Sequence, residues 1–427
     1  MRVRATILAV VVATLSAAFS TTAPSAAAAS GVRFGLTDDA WLENGPGTLA
    51  QRIGTLNSLG VRIVRFTLAW NEIAPTPPAV PADPTDEAYN WSQADEIVNG
   101  LHAAGIDVML QLLDTPAWAN GGRGTNYAPT SAASFGAFAT AAARHYPWVK
   151  KWLIWDEPNQ ARWLRPTSAA IYTIRLLNPA YVAIHSVIRG AQVGGGGSAP
   201  RGSTGGVSPI AWLNRMHAAH ARLDAYAYNP YPLNPKTESP LHGGCKICAT
   251  IPMSSINRLS SLVAADFGRA RVWLTEYGYQ TNPPDRLLGV SRSLQARYIG
   301  EAAYQAWHSA RVDMLIQYLY RDEPNLARFQ SGLVTINNSR KPSYAAFELP
   351  VAEIARRGSQ VTLWGQLRAP AATSTVHVQK LVGTRWAGVA VKRATAAGYW
   401  TLKAQLAPYS VVRVVSGKLI GAGLRLH

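Results

Sequence analysis

From residue 32 onward, short β-branched apolar runs alternate with longer segments whose apolar residues recur at helical spacing, the pattern of repeated βα units. The runs Val32–Leu36, Arg62–Leu68, Asp107–Leu113, Lys151–Trp155, Gln192–Gly195, Ala225–Tyr228, Arg271–Thr275 and Asp313–Leu319 predict eight strands. Between the first two, Leu49, Ile53, Leu56 and Leu59 form one apolar stripe that Gly60 stops. Further on, Ser92 stands as an N-cap with Asp95 three positions later, and Ala94, Ile97, Val98 and Leu101 face inward before Gly105. Each helix returns the chain to a parallel strand by a right-handed crossover. Eight such units predict an α/β fold, a (β/α)8 TIM barrel over residues 30–357, its closing helix starting at Lys341-Pro-Ser-Tyr and running to about Arg357.

After that helix the period drops to two. Val361-Thr-Leu-Trp, Val376-His-Val-Gln-Lys and Tyr409-Ser-Val-Val-Arg-Val-Val read as strands separated by Gly, Pro and Ala-Thr turns, so residues 358–427 are expected to form a small Ig-like β-sandwich. Charge is concentrated here. The chain carries a formal +17, and from Pro350 to His427 eleven Lys/Arg stand against the single acid Glu353. A module this basic attracts anionic surfaces such as cell-wall polymers, or simply aids solubility. It has no evident helix and no aromatic–basic repeat, so nucleic acid is not an expected partner.

At the other end, Arg2 and Arg4 precede an apolar run from Ala5 to Phe19, followed by small residues to Ser30, the layout of a secretory signal peptide covering residues 1–29. The run is shorter than the roughly 20 apolar residues that a membrane span needs, and no later segment is long enough. A secreted, extracellular protein without a transmembrane segment is expected. In that setting the two cysteines, Cys245 and Cys248, read as a short disulfide stiffening a loop near the cleft rim. A metal site would need two further ligands, and His242 does not supply them. No metal or organic cofactor is implied.

Barrel enzymes carry their chemistry at the C-terminal strand tips. The fourth strand ends in Trp155-Asp-Glu-Pro-Asn159 and the seventh in Trp273-Leu-Thr-Glu-Tyr-Gly278, so Glu157 and Glu276 face one cavity. Two carboxyls across a pocket are what acetal hydrolysis requires: one protonates the leaving oxygen and the other attacks carbon. Trp41, Trp70, Trp118, Tyr279 and Tyr320 also stand at tips, where aromatic faces can stack on sugar rings. Asp38, Asp39 and Asp114 are placed to bind hydroxyls or to cap backbone.

These motifs resemble clan A glycoside hydrolases over residues 32–350, nearest to families 39 and 5. Trp155-Asp-Glu-Pro-Asn159 resembles the clan's Asn-Glu-Pro signature, and Thr275-Glu-Tyr-Gly278 its strand-seven nucleophile motif. Val64-Arg-Phe-Thr-Leu-Ala-Trp70, Thr115-Pro-Ala-Trp118, Tyr228-Asn-Pro-Tyr231 and Lys341-Pro-Ser-Tyr-Ala-Ala-Phe347 are similar to further clan segments. The resemblance implies a retaining glycosidase with Glu157 as acid/base, Glu276 as nucleophile, and Arg65 and Tyr231 holding Glu276 as a carboxylate. Trp70, Trp118, Asp156, Asn229 and Tyr320 complete the expected substrate contacts.

The chain departs from the clan's pattern at two positions. Asp156 stands for the usual Asn, which replaces a donor with a group that only accepts when ionised, and Asn229 stands for the usual His. Beside Glu157, a second carboxylate should raise the acid's pKa. Asp156-Glu-Pro-Asn-Gln-Ala-Arg-Trp163 is also echoed by Asp322-Glu-Pro-Asn-Leu-Ala-Arg-Phe329, which makes Glu323 a rival acid. The leading expectation is a hydrolase of a β-linked polysaccharide. The alternative is a catalytically silent carbohydrate- or wall-binding protein on the same barrel.

Overall fold

The computed structural model describes residues 31–427 except Lys246. The expected signal peptide, residues 1–29, lies outside the described residues. Eight parallel strands close into a barrel in sequential order. They are β1 (Arg33–Thr37), β2 (Ile63–Ala69), β3 (Asp107–Leu113), β4 (Lys151–Ile154), β5 (Gln192–Ser198), β6 (Ala225–Tyr228), β7 (Arg271–Tyr277) and β8 (Val312–Tyr318). Every expected strand is present, with ends shifted by at most three residues. Ser92 is the first helical residue of Ser92–Ala103 and not its cap; the Asn90 carboxamide accepts its amide hydrogen.

The lumen is filled, not hollow. Ile63, Met109, Leu153, Ala225, Ala227, Trp273, Met314 and Ile316 form its buried core. The glycine run in β5 has a packing reason: a Cβ on Gly194 would come within 2.6 Å of the Trp273 ring. Without it, the indole fills the space that a Gly194 side chain would take. Outside the strands, Trp70, Phe135 and Phe138 belong to the larger core between barrel and helices.

The last helix ends earlier than its pattern suggested. It covers Pro342–Glu348, and Val351–Arg357 is strand β9. Pro350 disfavours helical backbone at Leu349 and has no amide hydrogen to continue the ladder. β9 pairs with β10 (Gln360–Gln366), which pairs with β13 (Tyr399–Gln405). The second sheet joins β11 (Thr375–Val382), β12 (Arg385–Arg393), β14 (Val411–Ser416), β15 (Leu419–Ile420) and β16 (Leu424–Arg425). Val361, Leu363, Val376, Val378, Val412 and Val414 form the core between the two.

This sandwich is fastened to the barrel. Trp364 packs against Trp307 at 5.5 Å and Tyr304 at 5.6 Å, both on the helix Arg292–His308. On the same helix, a Cβ at Gly300 would meet the Val351 carbonyl oxygen at 2.0 Å, so only glycine lets β9 lie this close. The Arg368 guanidinium sits 3.9 Å from the Phe34 ring centroid and 4.5 Å from that of Phe347. Burial lowers its pKa to about 9.

Candidate active site

At the C-terminal ends of the strands lies a cavity of about 950 Å³, large enough for several sugar rings, lined by both Glu157 and Glu276. Glu157 is aimed into it by unusual backbone. Trp155 and Glu157 have φ of 69° and 34°, in the left-handed region that non-glycine residues rarely occupy. The turn is held from β5, where the Gly197 carbonyl accepts the Glu157 amide hydrogen at 3.0 Å. Asn159 completes the clamp: its Oδ1 accepts from the Ala199 amide at 2.9 Å, and its Nδ2 donates to the Val207 carbonyl at 2.9 Å. Asn159 of the motif is thus a positioning residue.

Glu276, at the end of β7, is 8 % exposed and has a donor on each oxygen. Arg65 from β2 donates to Oε1 at 2.6 Å and the Tyr231 hydroxyl to Oε2 at 3.0 Å. Both are charge-assisted hydrogen bonds, which are shorter and stronger than neutral ones. The second terminal nitrogen of Arg65 lies 3.5 Å from Asp156 Oδ1, a separation too long for a good hydrogen bond.

Glu157 has a poorer environment for charge. Its protein partner is Asn229, whose Nδ2 donates to Oε1 at 3.3 Å. Thr275 donates to Asn229 Oδ1 at 2.8 Å, which fixes the amide so that its NH2 group faces Glu157. Burial, then the charges of Asp156 and Glu276, push the Glu157 pKa well above the usual carboxylate range. Asp156 is itself raised to about 7, by burial first and by Glu276 second, against the opposing pull of Arg65.

Of the expected substrate contacts, Arg65, Asp156, Asn229 and Tyr231 converge on the two glutamates. The three aromatics do not line the cleft. Trp70 opens the helical turn that follows β2 and is rotated outward, fully buried, with Phe138 stacked at 5.3 Å. Trp118 packs edge-on to Trp70 at 5.4 Å and donates to the Ala74 carbonyl. Tyr320 packs against Trp41 with ring centroids 4.1 Å apart and the planes tilted by 35°. The cleft's aromatic lining is Trp163, Tyr231, Tyr279, Tyr318 and Phe329. Phe329 was marked in the sequence by its equivalence to Trp163 in the repeated motif; Tyr318 had no such signal.

Asp38 caps backbone. It accepts from the amides of Trp41, Tyr320 and Arg321 at 3.1, 3.0 and 3.0 Å, joining the loop after β1 to the loop after β8. Asp39 lines the cleft. The rival Glu323 also borders it, with Arg328 at 3.8 Å, but it lies outside the Arg65–Glu276–Asp156 cluster. Its neighbour Asp322 is structural, accepting from the fully buried Lys341 ammonium at 2.7 Å. Cys245 and Cys248 form a disulfide, in a loop whose His242 faces His427 of the sandwich at 6.1 Å, and neither cysteine lines the cleft. No group of metal-binding side chains occurs among the described residues, and none of their helices is long and apolar enough to cross a membrane.

The family model Cellulase (glycosyl hydrolase family 5) matches residues 23–303. No match is found among curated proteins. Among solved structures, a glucosidase from Croceicoccus marinus is similar with a TM-score of 0.59 at 14 % identity, over 89 % of this chain and 94 % of its own. CelM2, a bifunctional glucanase-xylanase from a metagenome library, has a TM-score of 0.50 at 12 % identity, over 91 % of this chain and 95 % of its own. A β-glucuronidase from Bacteroides uniformis has the same TM-score at 11 % identity, over 93 % of this chain but 46 % of its own. At such identities these three show a shared fold. The family match, spanning most of the barrel, shows more: the chain belongs to glycosyl hydrolase family 5 and is a glycoside hydrolase.

Proposed function

We propose that this protein is a secreted retaining hydrolase of a β-linked polysaccharide, with Glu276 as nucleophile and Glu157 as acid/base. The observation that carries the roles is the contrast between the two carboxyls. Glu276 has a guanidinium and a phenol on its oxygens, whereas Glu157 has one long amide contact and a raised pKa. A group that must hold a proton and a group that must hold a charge are thereby separated. In the first step a Glu276 oxygen bonds to the anomeric carbon while Glu157 gives its proton to the departing glycosidic oxygen. The product is a glycosyl ester on Glu276. Glu157, now a carboxylate, takes a proton from water as that water's oxygen displaces Glu276, which restores both groups.

A polysaccharide fits the cavity's size and its aromatic lining of Trp163 and Phe329. Export follows from Arg2, Arg4 and the apolar run after them, and is tested by the N-terminal sequence of protein recovered from the medium. The basic module, with one acid among eleven Lys/Arg, is read as a hold on anionic cell-wall polymer. Proton NMR of the first-formed product tests the mechanism: the retained anomer is expected, and early appearance of the inverted one would overturn it. The silent-binder reading draws on Asp156 and Asn229, the two departures from the clan's pattern, and hydrolysis of any β-glycoside that Glu276→Gln abolishes rules it out.

A further inference from the structure

Apart from the Glu323–Arg328 pair on the loop after β8, the cleft's charges are sorted by side. Glu157 protonates the leaving oxygen, so the leaving group extends over its own loop and that of β5, where Arg162 and Arg201 line the wall. The sugar that bonds to Glu276 therefore lies towards the opposite wall, built by the loops after β1 and β2. That wall presents Asp39, Glu43 and Glu72. Among the described residues none of the three has a Lys, Arg or His within ion-pair distance. They are close enough to feel one another: Glu43 is raised to about 7 by burial and then by the charges of Asp39 and Glu72. Arg65 is the cation whose charge acts on Asp39, from beyond ion-pair distance, and in a chain of formal charge +17 an acidic wall left with so little compensation is not a by-product of composition.

An independent feature points to what this wall receives. Asp156 is 6 % exposed and lines the cavity, yet its Oδ1 is buried and accepts no hydrogen bond. Asp39 Oδ1 is likewise buried without a donor. An unmet buried acceptor costs about 1–3 kcal/mol, and more when charged, so two of them beside one site call for a donor from the ligand. Arg65 does not fill this place: its Nη2 is engaged by Glu276, and its Nη1, itself without a hydrogen-bond partner, stops 3.5 Å from Asp156 Oδ1, which leaves both atoms open to a ligand. Asp156 lies 3.5 Å from the guanidinium that grips the attacking carboxylate, so the sugar group that reaches it is the one next to the anomeric carbon.

We propose that this half of the cleft binds a cationic sugar, one carrying a free amino group next to its anomeric carbon, within a β-linked glycan. An ammonium offers three donors and a positive charge. It satisfies Asp156 Oδ1 directly and is held by the field of Asp39, Glu43 and Glu72. A hydroxyl supplies one donor and no charge, and an acetamido group is neutral and bulkier. The inference rests on the hydrolase reading for which sugar lies on which side.

The test is equilibrium binding of three β-1,4-linked tetramers, of glucosamine, N-acetylglucosamine and glucose, by calorimetry in low-salt buffer at a series of pH values on either side of neutrality, since the carboxylates must be ionised as well as the amine. Wild type and the slowly cleaving Glu157→Gln are both measured. The glucosamine tetramer is expected to bind about tenfold tighter or more than either neutral one, with the margin shrinking as salt is raised. The double change Glu43→Gln, Glu72→Gln is expected to narrow the margin. Equal or weaker binding of the glucosamine tetramer by wild type overturns the inference whatever the variants do. Hydrolysis of a neutral aryl β-glycoside is followed in parallel. Its presence without a preference for amine sinks this inference and leaves the hydrolase reading standing. An amine preference with no hydrolysis of any substrate does the reverse.

Discussion

Arg65 and Glu276 form a buried ion pair of 2.6 Å that reaches across the barrel from β2 to β7, and the same guanidinium is the nearest cation to Asp156. One buried side chain thus balances Glu276 and Asp156, both nearly shut off from solvent. Removing a partner from a buried pair costs about 3–5 kcal/mol, because the charge left behind is neither paired nor solvated. Arg65→Met is expected to lower kcat on an aryl β-glycoside by about 10²-fold or more, at 1.36 kcal/mol per factor of ten, and to lower the melting temperature. Arg65→Lys keeps the charge but not the fork that spans both acids, so an intermediate loss is expected. A kcat within twofold of wild type in Arg65→Met would remove Arg65 from the mechanism.

The two glutamates should respond differently to the leaving group. Glu276→Gln is expected to abolish turnover of every substrate, since an amide does not form the ester intermediate. General acid assistance contributes about 10²–10⁴-fold. Glu157→Gln should therefore lose that much on polysaccharide but little in the first step with dinitrophenyl glycosides, whose leaving group departs unprotonated. Comparing burst amplitude and steady rate on the two substrates separates the steps. Equal losses on both would reassign the acid, and Glu323→Gln would be the next variant to assay.

With Glu157 as the acid of the proposed mechanism, Asp156 is expected to set the upper pH limit. Its charge is the second-largest cause of the raised Glu157 pKa, after burial. Activity needs Glu157 protonated, so the basic limb of kcat/KM follows that pKa. Asp156→Asn removes the carboxylate, makes the Glu157 proton easier to lose and is expected to move the basic limb to lower pH. Superimposable pH–rate curves for variant and wild type would show that Asp156 does not act on Glu157.

Much of this was legible in the chain, and what was not has identifiable causes. The eight strands stand out because a strand buried on both faces is nearly all apolar, and Asp156 and Glu157 just after β4 and Glu276 near the end of β7 are the polar residues that this pattern leaves at the cavity end. Which way an aromatic points is not so marked. Trp70 and Trp118 are at strand tips by number, but the helical turns that follow β2 and β3 rotate them into the shell around Phe135 and Phe138. Glu43 and Glu72 have no motif and become neighbours only when the loops after β1 and β2 fold over the barrel. The helix expected to reach Arg357 failed at Pro350, where local stereochemistry outweighs an apolar pattern compatible with either structure.

Asp38 ties stability to pH. Burial raises its pKa to about 7 from an ordinary value of 3.8, although three backbone amides oppose the shift. A carboxyl whose folded pKa exceeds its unfolded one binds protons more tightly in the native state, so its contribution is complete below about pH 4 and is lost as pH rises through about 7. Melting temperature is expected to fall between those limits, and Asp38→Asn should flatten part of the slope while lowering stability at acidic pH through weakened capping of the β8 loop. A wild-type melting temperature that stays level or climbs over this interval would contradict the account.

The basic module cannot be tested by deleting residues 358–427. That cut would part β9 from β10, uncover Trp307 where Trp364 covers it and withdraw Arg368 from its seat against Phe34 and Phe347. The barrel's own folding would be lost along with any binding, so charge must be changed without the scaffold. β12 is suited to this because it is the edge of its sheet and exposes Arg385, Lys392 and Arg393. Cations on an edge strand also have a plain structural use, since they discourage pairing with another chain. The two roles differ in their salt dependence. If the module holds anionic polymer, Arg385→Glu, Lys392→Glu and Arg393→Glu together should reduce retention on immobilised polygalacturonate and lower the salt needed for elution, with the melting temperature and aryl-glycoside kcat preserved. If the three charges only protect the edge, the elution salt stays the same and the variant instead aggregates at concentrations where the wild type remains dispersed.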